Sequence, residues 1–117
     1  MEAVFVYGTL MGREPAAVPA CIRGELYDLG PFPAAWNVGA QGAGVIHGEI
    51  IEVDAETLAH FDRYEGVSVG HYRRVRVRVV DENGNPNGRE AWVYEYGKHP
   101  TARGGKKLEA GRWKPPY

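Results

Sequence analysis

The sequence predicts a β-rich fold in which short strands are separated by frequent turns. Its 16 glycines and 8 prolines fall between runs of apolar or alternating residues. The clearest strand is His71–Val80, where valines occupy one parity and arginines the other. One central segment, Ala55–Glu65, instead repeats apolar residues at helical spacing. The length of 117 residues fits a single domain, residues 1–117.

The overall composition excludes several classes of protein. A net charge of −1 gives no molecule-wide field that would favour nucleic acid. The single cysteine, Cys21, cannot form an internal disulfide, which is typical of a reducing compartment, and we interpret it as a packed or idle thiol. The N-terminus has neither a basic region nor a long apolar run. We therefore expect no signal peptide, no membrane span and a cytoplasmic location.

The first strand and its end form the first candidate for a binding site. Ala3–Tyr7 is apolar and is followed by the break Gly8-Thr9-Leu10. We expect Gly8 to adopt backbone angles that other residues resist, so that the chain turns sharply. Such a turn leaves backbone N–H groups without strand partners, and convergent N–H groups attract a carboxylate or an oxyanion. The pattern predicts that this turn binds the substrate.

The next stretch has fewer regular features. Met11–Cys21 predicts a loop with a short helix around Pro15–Val18. Arg23–Leu29 alternates loosely and predicts a second strand, which the following prolines end. The glycine-rich Ala34–Gly44 predicts an irregular loop near the site.

A strand and the helix then follow directly on each other. Val45–Val53 predicts a strand, and Gly48 inside it indicates a bulge or a close backbone neighbour. Asp54 is a suitable N-cap because its side chain can accept a hydrogen bond from the first helical turn. The helix is expected to cover Ala55–Glu65 and to end at Gly66, a favourable left-handed C-cap.

Glu65 is the candidate catalytic residue. It shares one helical face with Leu58 and Phe61, at spacing i, i+3, i+7, and it lies at the negative end of the helix dipole. Burial and the dipole would both raise the pKa of its carboxyl group. Burial and the helix dipole both disfavour an ionised carboxylate at this position, and a carboxylate kept in such an unfavourable place indicates function. The alternative interpretation is that Glu65 merely flanks the cap and points to water.

The second half of the sheet is predicted to be a hairpin. In His71–Val80 the alternating arginines are most simply a solvated face, while Arg73 has the parity of the valines. Glu90–Tyr96 returns with its aromatic residues on one face, which is more typical of packing than of a binding site. Residues 98–117 are basic and broken by glycine and proline, so we expect an irregular tail, held down by Trp113.

Motifs for metal and nucleotide binding are missing from the sequence. The four histidines show no ligand spacing on one element, and no Cys-x-x-Cys or His-Glu-x-x-His occurs. Gly104-Gly105-Lys106-Lys107 lacks the spacing of a phosphate-binding P-loop, and no Gly-x-Ser-x-Gly elbow is present. The sequence predicts no metal site and no bound nucleotide.

Several short motifs, taken together and in order, resemble one known family. They are Tyr7-Gly8-Thr9-Leu10 after the first strand, Gly48-Glu49, Phe61-Asp62-Arg63-Tyr64-Glu65-Gly66, Tyr72-Arg73-Arg74-Val75 and Val93-Tyr94. The chain resembles the γ-glutamylcyclotransferase-like superfamily, in particular its small bacterial and archaeal-type members and the γ-glutamylamine cyclotransferases. Gly111-Arg112-Trp113 is similar to the Gly-Asp-Trp ending of that family, with arginine in place of aspartate.

The resemblance implies an α+β fold, a compact mixed β-barrel with short flanking helices. It implies that Tyr7, Gly8, Thr9 and Leu10 hold a γ-glutamyl group through backbone contacts and that Glu65 is the catalytic acid and base. Three further residues, matching family positions that line the pocket or support it, are Tyr72, Arg74 and Tyr94. Parity instead favours Arg73 as the inward arginine, and a bulge near Arg73 would reconcile the two.

The implied reaction closes a γ-glutamyl amide to 5-oxoproline and releases an amine or amino acid, without metal or cofactor. The expected partner is a small-molecule γ-glutamyl substrate, with no nucleic acid and no membrane. One alternative is a binding or regulatory module of the same fold that has no catalytic activity. A second alternative is binding of nucleic acid or a protein partner through the basic tail, although that tail lacks spaced aromatic residues.

Overall fold

A computed structural model describes residues 1–115 of the chain. These residues form eight strands, one α-helix and two short 3₁₀ turns. The strands are β1 Glu2–Val6, β2 Val18–Arg23, β3 Glu25–Asp28, β4 Pro33–Trp36, β5 Val45–Val53, β6 Tyr72–Val80, β7 Pro86–Tyr96 and β8 Lys106–Lys107. The α-helix, α1, is Ala55–Tyr64, and the 3₁₀ turns are Val67–Val69 and Pro100–Arg103.

The sheet closes on itself to form a mixed barrel. Five strands follow one another in the order β1, β5, β2, β6, β7, and a parallel pairing of Val4 with Trp92 joins β1 back to β7. Farther along the same edge of β7, Glu95 pairs with Ala35 of β4, which continues the sheet into β3 and β8. Two strands, β1 and β4, therefore pair with the same edge of β7 at different points along it. Between these two points β1 and β4 separate from each other. The predicted α+β barrel is confirmed.

Apolar side chains fill the barrel and also cover one side of it. Inside the barrel, Phe5, Ile22 and Ile46 are fully buried, together with the inward valines of β6 and β7. Outside it, a second cluster lies between the sheet and α1 and includes Leu58. Successive side chains of β6 and β7 point to opposite faces of the sheet, so alternate residues of these strands belong to the interior and the exterior cluster.

The helix begins and ends as its sequence predicts, within one residue. The Asp54 side chain accepts a hydrogen bond from the Thr57 N–H at 2.7 Å. The helix proper ends at Tyr64, Glu65 is its C-cap, and Gly66 adopts the left-handed conformation with φ of 66°. In β5, a Cβ on Gly48 would collide with the Val6 carbonyl oxygen and the Phe5 ring, which confirms the predicted close neighbour.

Three expectations about residues 11–44 are wrong. The short helix at Pro15–Val18 does not form, because Val18 begins β2 and pairs with β5. The Arg23–Leu29 strand is divided at Gly24 into β2 and β3, and the loop expected over Ala34–Gly44 begins with β4. Both missed strands contain proline, which is unfavourable in a strand interior. A sheet nevertheless tolerates proline at a strand start or at an unpaired edge.

The basic tail is more ordered than expected. Residues 98–115 contain the second 3₁₀ turn and β8, which pairs with β3. Trp113 is buried in the barrel interior and donates a hydrogen bond to Asp28 at 3.2 Å, so the expected anchor is confirmed. The last two residues of the tail lie outside the described residues.

No helix within residues 1–115 is long and apolar enough to cross a membrane.

Candidate active site

A cavity of about 440 Å³ opens where β1 and β4 separate along β7. Its lining includes the whole Tyr7–Leu10 turn, Pro33 at the start of β4 and Tyr94 and Tyr96 at the end of β7. Glu65, at the end of α1, lines the same cavity. The structure therefore brings together the two segments that the sequence analysis singled out, which lie more than fifty residues apart in the chain.

Tyr7, directly after β1, links β7 to β4 beside the cavity. Its hydroxyl donates a hydrogen bond to the Tyr94 carbonyl oxygen and accepts one from the Ala35 N–H at 3.3 Å. The hydroxyl thus satisfies backbone groups of both β7 and β4. Burial raises the pKa of Tyr7 well above its ordinary value, so the phenol stays neutral. Tyr7 lines the cavity, but its hydroxyl is already used within the protein.

The turn after Tyr7 presents unpaired backbone donors. A hydrogen bond of 3.0 Å from the Met11 N–H to the Gly8 carbonyl oxygen closes the turn. Two side chains hold it in place: Arg13 donates to the Thr9 carbonyl at 2.7 Å, and Glu49 accepts from the Gly12 N–H at 2.8 Å. Among the described residues, the N–H groups of Gly8, Thr9 and Leu10 have no protein acceptor.

The reason for glycine at position 8 differs from the expected one. Gly8 is not among the described glycines with positive φ, whereas Gly12 is, with φ of 76°. A Cβ on Gly8 would instead lie 3.0 Å from Cγ and 3.1 Å from Cδ of Pro33. Close packing against the start of β4, rather than a special backbone conformation, favours glycine here.

Glu65 lies in the cavity as a half-buried carboxyl group. Burial raises its pKa from 4.5 to about 7. In the part of the chain that the structure describes, its carboxyl oxygens have neither a hydrogen-bond donor nor an ion-pair partner. The inward orientation agrees with the helical spacing, and burial without a contribution from the helix dipole accounts for the raised pKa. A carboxyl group with such a pKa can both accept and return a proton near neutral pH.

The aromatic wall of the cavity is held by its own hydroxyl groups. Tyr72 donates to the Pro33 carbonyl at 2.8 Å, and Tyr94 donates to the Asp62 carboxylate at 2.7 Å. Burial raises the pKa of both phenols, which remain donors. Tyr96 packs edge-on against Tyr72, with ring centroids 5.2 Å apart. Its hydroxyl has no protein partner among residues 1–115 and is available to a ligand.

Arg74 does not line the cavity, which favours a supporting role over a pocket-lining one. It forms a two-point ion pair with Asp62 of α1, at 2.8 and 3.1 Å, and its guanidinium lies 4.3 Å from the centre of the Trp92 ring. Burial by itself would raise the pKa of Asp62, but the hydrogen bonds from Arg74 and Tyr94 outweigh burial and lower this pKa. Arg74 is therefore a positioning residue that ties α1 to the barrel.

The side chain of Arg74 is 25% exposed and that of Arg73 is 61% exposed, so the expectation that Arg73 is the inward arginine is wrong, although Arg73 has the parity of the valines. It donates two hydrogen bonds to one oxygen of Glu95, a buried carboxylate whose other oxygen accepts from the Val38 N–H at 2.9 Å. The pairing of β6 with β7 runs without a shift from Tyr72 to Arg78. The bulge expected near Arg73 is wrong, because the two arginines serve separate ion pairs on opposite faces of one regular strand.

The sequence analysis named neither His71 nor Arg103 as a residue of the site, although both line the cavity. His71 lies against Gly66, where an added Cβ would approach its Nδ1 to 2.8 Å. Arg103 comes from the tail, in the second 3₁₀ turn. The position of His71 just before the β6 strand was a usable signal, whereas Arg103 reaches the cavity only through the fold of the tail. Within residues 1–115 no cluster of three side chains could hold a metal ion.

Comparison with known proteins assigns the chain to a family. The family described as γ-glutamyl cyclotransferase, AIG2-like, matches residues 4–115. The chain belongs to this family. The γ-glutamylcyclotransferase family protein YtfP of Escherichia coli K12 is 33% identical over 122 residues, which cover 94% of each chain.

Several solved structures share the fold. The solution structure of Escherichia coli ytfP matches with a TM-score of 0.62 and 29% identity, covering 95% of both chains. Protein PH0828 of Pyrococcus horikoshii matches with a TM-score of 0.63 and 27% identity, covering 96% of this chain and 89% of the other. A mouse AIG2-like protein matches with a TM-score of 0.56 and 25% identity, covering 86% and 81%.

Proposed function

We propose that the protein converts a γ-glutamyl amide to 5-oxoproline and releases an amine or an amino acid. One observation supports this proposal above the others. A carboxyl group with a pKa near 7, Glu65, and the unpaired N–H groups of the Gly8–Leu10 turn line a single cavity of about 440 Å³. Membership of the γ-glutamyl cyclotransferase family supports the same reaction.

The reaction needs one group that moves protons. The α-amino nitrogen of the substrate attacks its own γ-carbonyl carbon, so a ring C–N bond forms and the amide C–N bond breaks. The substrate ammonium first loses one proton to solvent and becomes a nucleophilic amine. Of its two remaining protons, one stays on the lactam nitrogen and one must reach the leaving nitrogen, which departs as a neutral amine. Ionised Glu65 accepts a proton from the attacking nitrogen and returns it to the leaving nitrogen. Such transfer contributes about 10²–10⁴-fold to the rate.

The turn supplies the second requirement, a site for negative charge. When the ring closes, the γ-carbonyl oxygen becomes an oxyanion, and the N–H groups of Gly8, Thr9 and Leu10 are the donors we assign to the substrate. The reaction is intramolecular, so binding the correct conformer contributes much of the rate. Well-oriented intramolecular reactions reach effective molarities on the order of 10⁵ M or more.

The test is to incubate the protein with a panel of γ-glutamyl amides and to measure 5-oxoproline. Wild-type protein should release it, and Glu65→Gln should lower kcat by about 10²–10⁴-fold because an amide cannot accept the proton. Glu56→Gln is the matched control, since Glu56 is exposed in the first turn of the same helix.

Two results would argue against this mechanism. Turnover by Glu65→Gln at the rate of the Glu56→Gln control would remove Glu65 from the chemistry. Calorimetric binding of γ-glutamyl compounds without product from any of them would identify a binding or regulatory module instead of an enzyme.

A further inference from the structure

The cavity contains one permanent cation that the proposed mechanism does not use. Arg103 lines the cavity and is an exposed residue. Of the residues that the structure places, none forms an ion pair or a side-chain hydrogen bond with it. The cavity hydroxyls of Tyr7, Tyr72 and Tyr94 are all bonded within the protein. Arg103 is therefore a strong donor that faces the ligand space without a protein acceptor.

The backbone that carries Arg103 is well anchored. Its 3₁₀ turn begins with Pro100, which is buried, and is capped by His99 through Thr101. The His99 ring packs against Tyr27 and Trp36, with centroid distances of 5.5 and 5.3 Å. Arg103 is thus fixed to the β3–β4 side of the cavity, whereas Glu65 is fixed to the helical side.

The two charged groups act on different parts of a ligand. Arg103 does not pair with Glu65, and burial alone accounts for the raised pKa of Glu65, with no lowering contribution from a cation. In the proposed reaction Glu65 must lie beside the glutamyl amine, which closes the ring. A ligand that fills the cavity then extends its leaving group toward another wall.

We propose that Arg103 binds the carboxylate of the leaving amino acid, so that the protein acts on γ-glutamyl amino acids in preference to γ-glutamyl amines that lack this carboxylate. This inference rests on the proposed function. A guanidinium presents parallel N–H donors that match the two oxygens of a carboxylate. The glutamyl carboxylate, in contrast, belongs to the half of the substrate that the Gly8–Leu10 turn receives.

A pair of substrates that differ by one carboxylate tests this inference. γ-Glutamylalanine carries the carboxylate, and γ-glutamylethylamide is the same molecule without it. Arg103→Gln should lower kcat/KM for γ-glutamylalanine by about 10–100-fold, the loss expected for a charge-assisted hydrogen bond. It should leave kcat/KM for γ-glutamylethylamide within about twofold of wild type. Arg78→Gln, which removes an exposed cation outside the cavity, should change neither value.

Other outcomes overturn the inference in distinct ways. An equal loss for both substrates would mean that Arg103 binds the glutamyl half, and no loss for either would mean that it binds neither carboxylate. If wild-type protein releases no 5-oxoproline from either compound, the proposed function fails. Dissociation constants of the two compounds, measured by calorimetry on wild type and Arg103→Gln, then still decide whether Arg103 recognises the extra carboxylate.

Discussion

At the scale of single residues, Glu65 carries an energetic cost that its described neighbours do not offset. Burial raises its pKa to about 7, and no described cation lies beside it. A raised pKa means that the folded state disfavours the ionised form that exists at neutral and higher pH. A carboxyl group maintained under these conditions is typical of a site selected for chemistry rather than for stability.

Glu65→Gln should therefore stabilise the protein in a pH-dependent way. The folded-state pKa lies above the unfolded value, so wild type loses stability as pH rises from about 4.5 through 7, whereas the neutral amide does not. We expect the variant to gain roughly 2–3 kcal/mol in free energy of unfolding at pH 8 and nothing at pH 4. Urea unfolding at both pH values measures this, and a gain that is the same at both would contradict it.

Gly8 illustrates a residue whose role depends on a distant neighbour. Gly8→Val should raise KM for γ-glutamyl substrates, because its side chain must displace Pro33, 3.0 Å from a Cβ at position 8. Adding Pro33→Ala removes the obstructing ring carbons and should restore KM toward wild type. If the double variant is as impaired as Gly8→Val alone, the contact is not the reason for glycine at this position.

At the scale of secondary-structure elements, the position of α1 determines where Glu65 lies. The helix is held to the sheet by Asp62, which binds Arg74 of β6 and Tyr94 of β7, and by Leu58, which is buried against the barrel. The Asp62–Arg74 pair is about three-quarters buried on both sides. The exposed Arg76–Glu90 pair, farther along the same two strands, gives an internal comparison.

Arg74→Gln should weaken this attachment. We expect a loss of about 1–3 kcal/mol in stability, since Asp62 keeps a partly buried charge with one fewer partner. We also expect a lower kcat with little change in KM, because Arg74 does not line the cavity but orients the helix that carries Glu65. Arg76→Gln is the matched control and should cost less than about 1 kcal/mol. Equal effects of the two substitutions on stability and kcat would show that the attachment has no special role.

At the scale of the whole molecule, the C-terminal segment fills part of the barrel interior. Trp113 is 4% exposed and packs with the interior cluster, and its indole N–H reaches Asp28 at the end of β3. Gly111 accepts a hydrogen bond from the His47 N–H on β5 at 2.8 Å. The same segment brings Arg103 to the cavity, so the tail contributes to both the core and the site.

Trp113→Ala should destabilise the protein by about 3–5 kcal/mol, the usual cost of removing a buried indole. Lys114→Ala, next to it and exposed, should change the free energy of unfolding by less than about 0.5 kcal/mol. Equilibrium unfolding in urea measures both. A small effect of Trp113→Ala would indicate that the interior of the barrel is stable without the tail.

The sequence by itself determined the elements whose signals are local. The β5 strand, the α1 helix with its Asp54 and Gly66 caps, and the alternating β6 strand all follow from periodicity and capping within a few residues. The same helical spacing placed Glu65 on the buried face. The short motifs that resemble the cyclotransferase family were also local, and together they indicated the barrel.

Only the tertiary structure decided the contacts between distant segments. It showed that Pro33 packs closely against Gly8, that Arg74 binds Asp62 outside the cavity lining, and that Arg103 lines the cavity. These contacts join residues that are brought together when β1 and β4 separate along β7 and the tail folds back onto the barrel. Sequence periodicity indicates which face of a strand or helix a residue occupies, whereas the closure of the barrel determines which distant residues pack against that face.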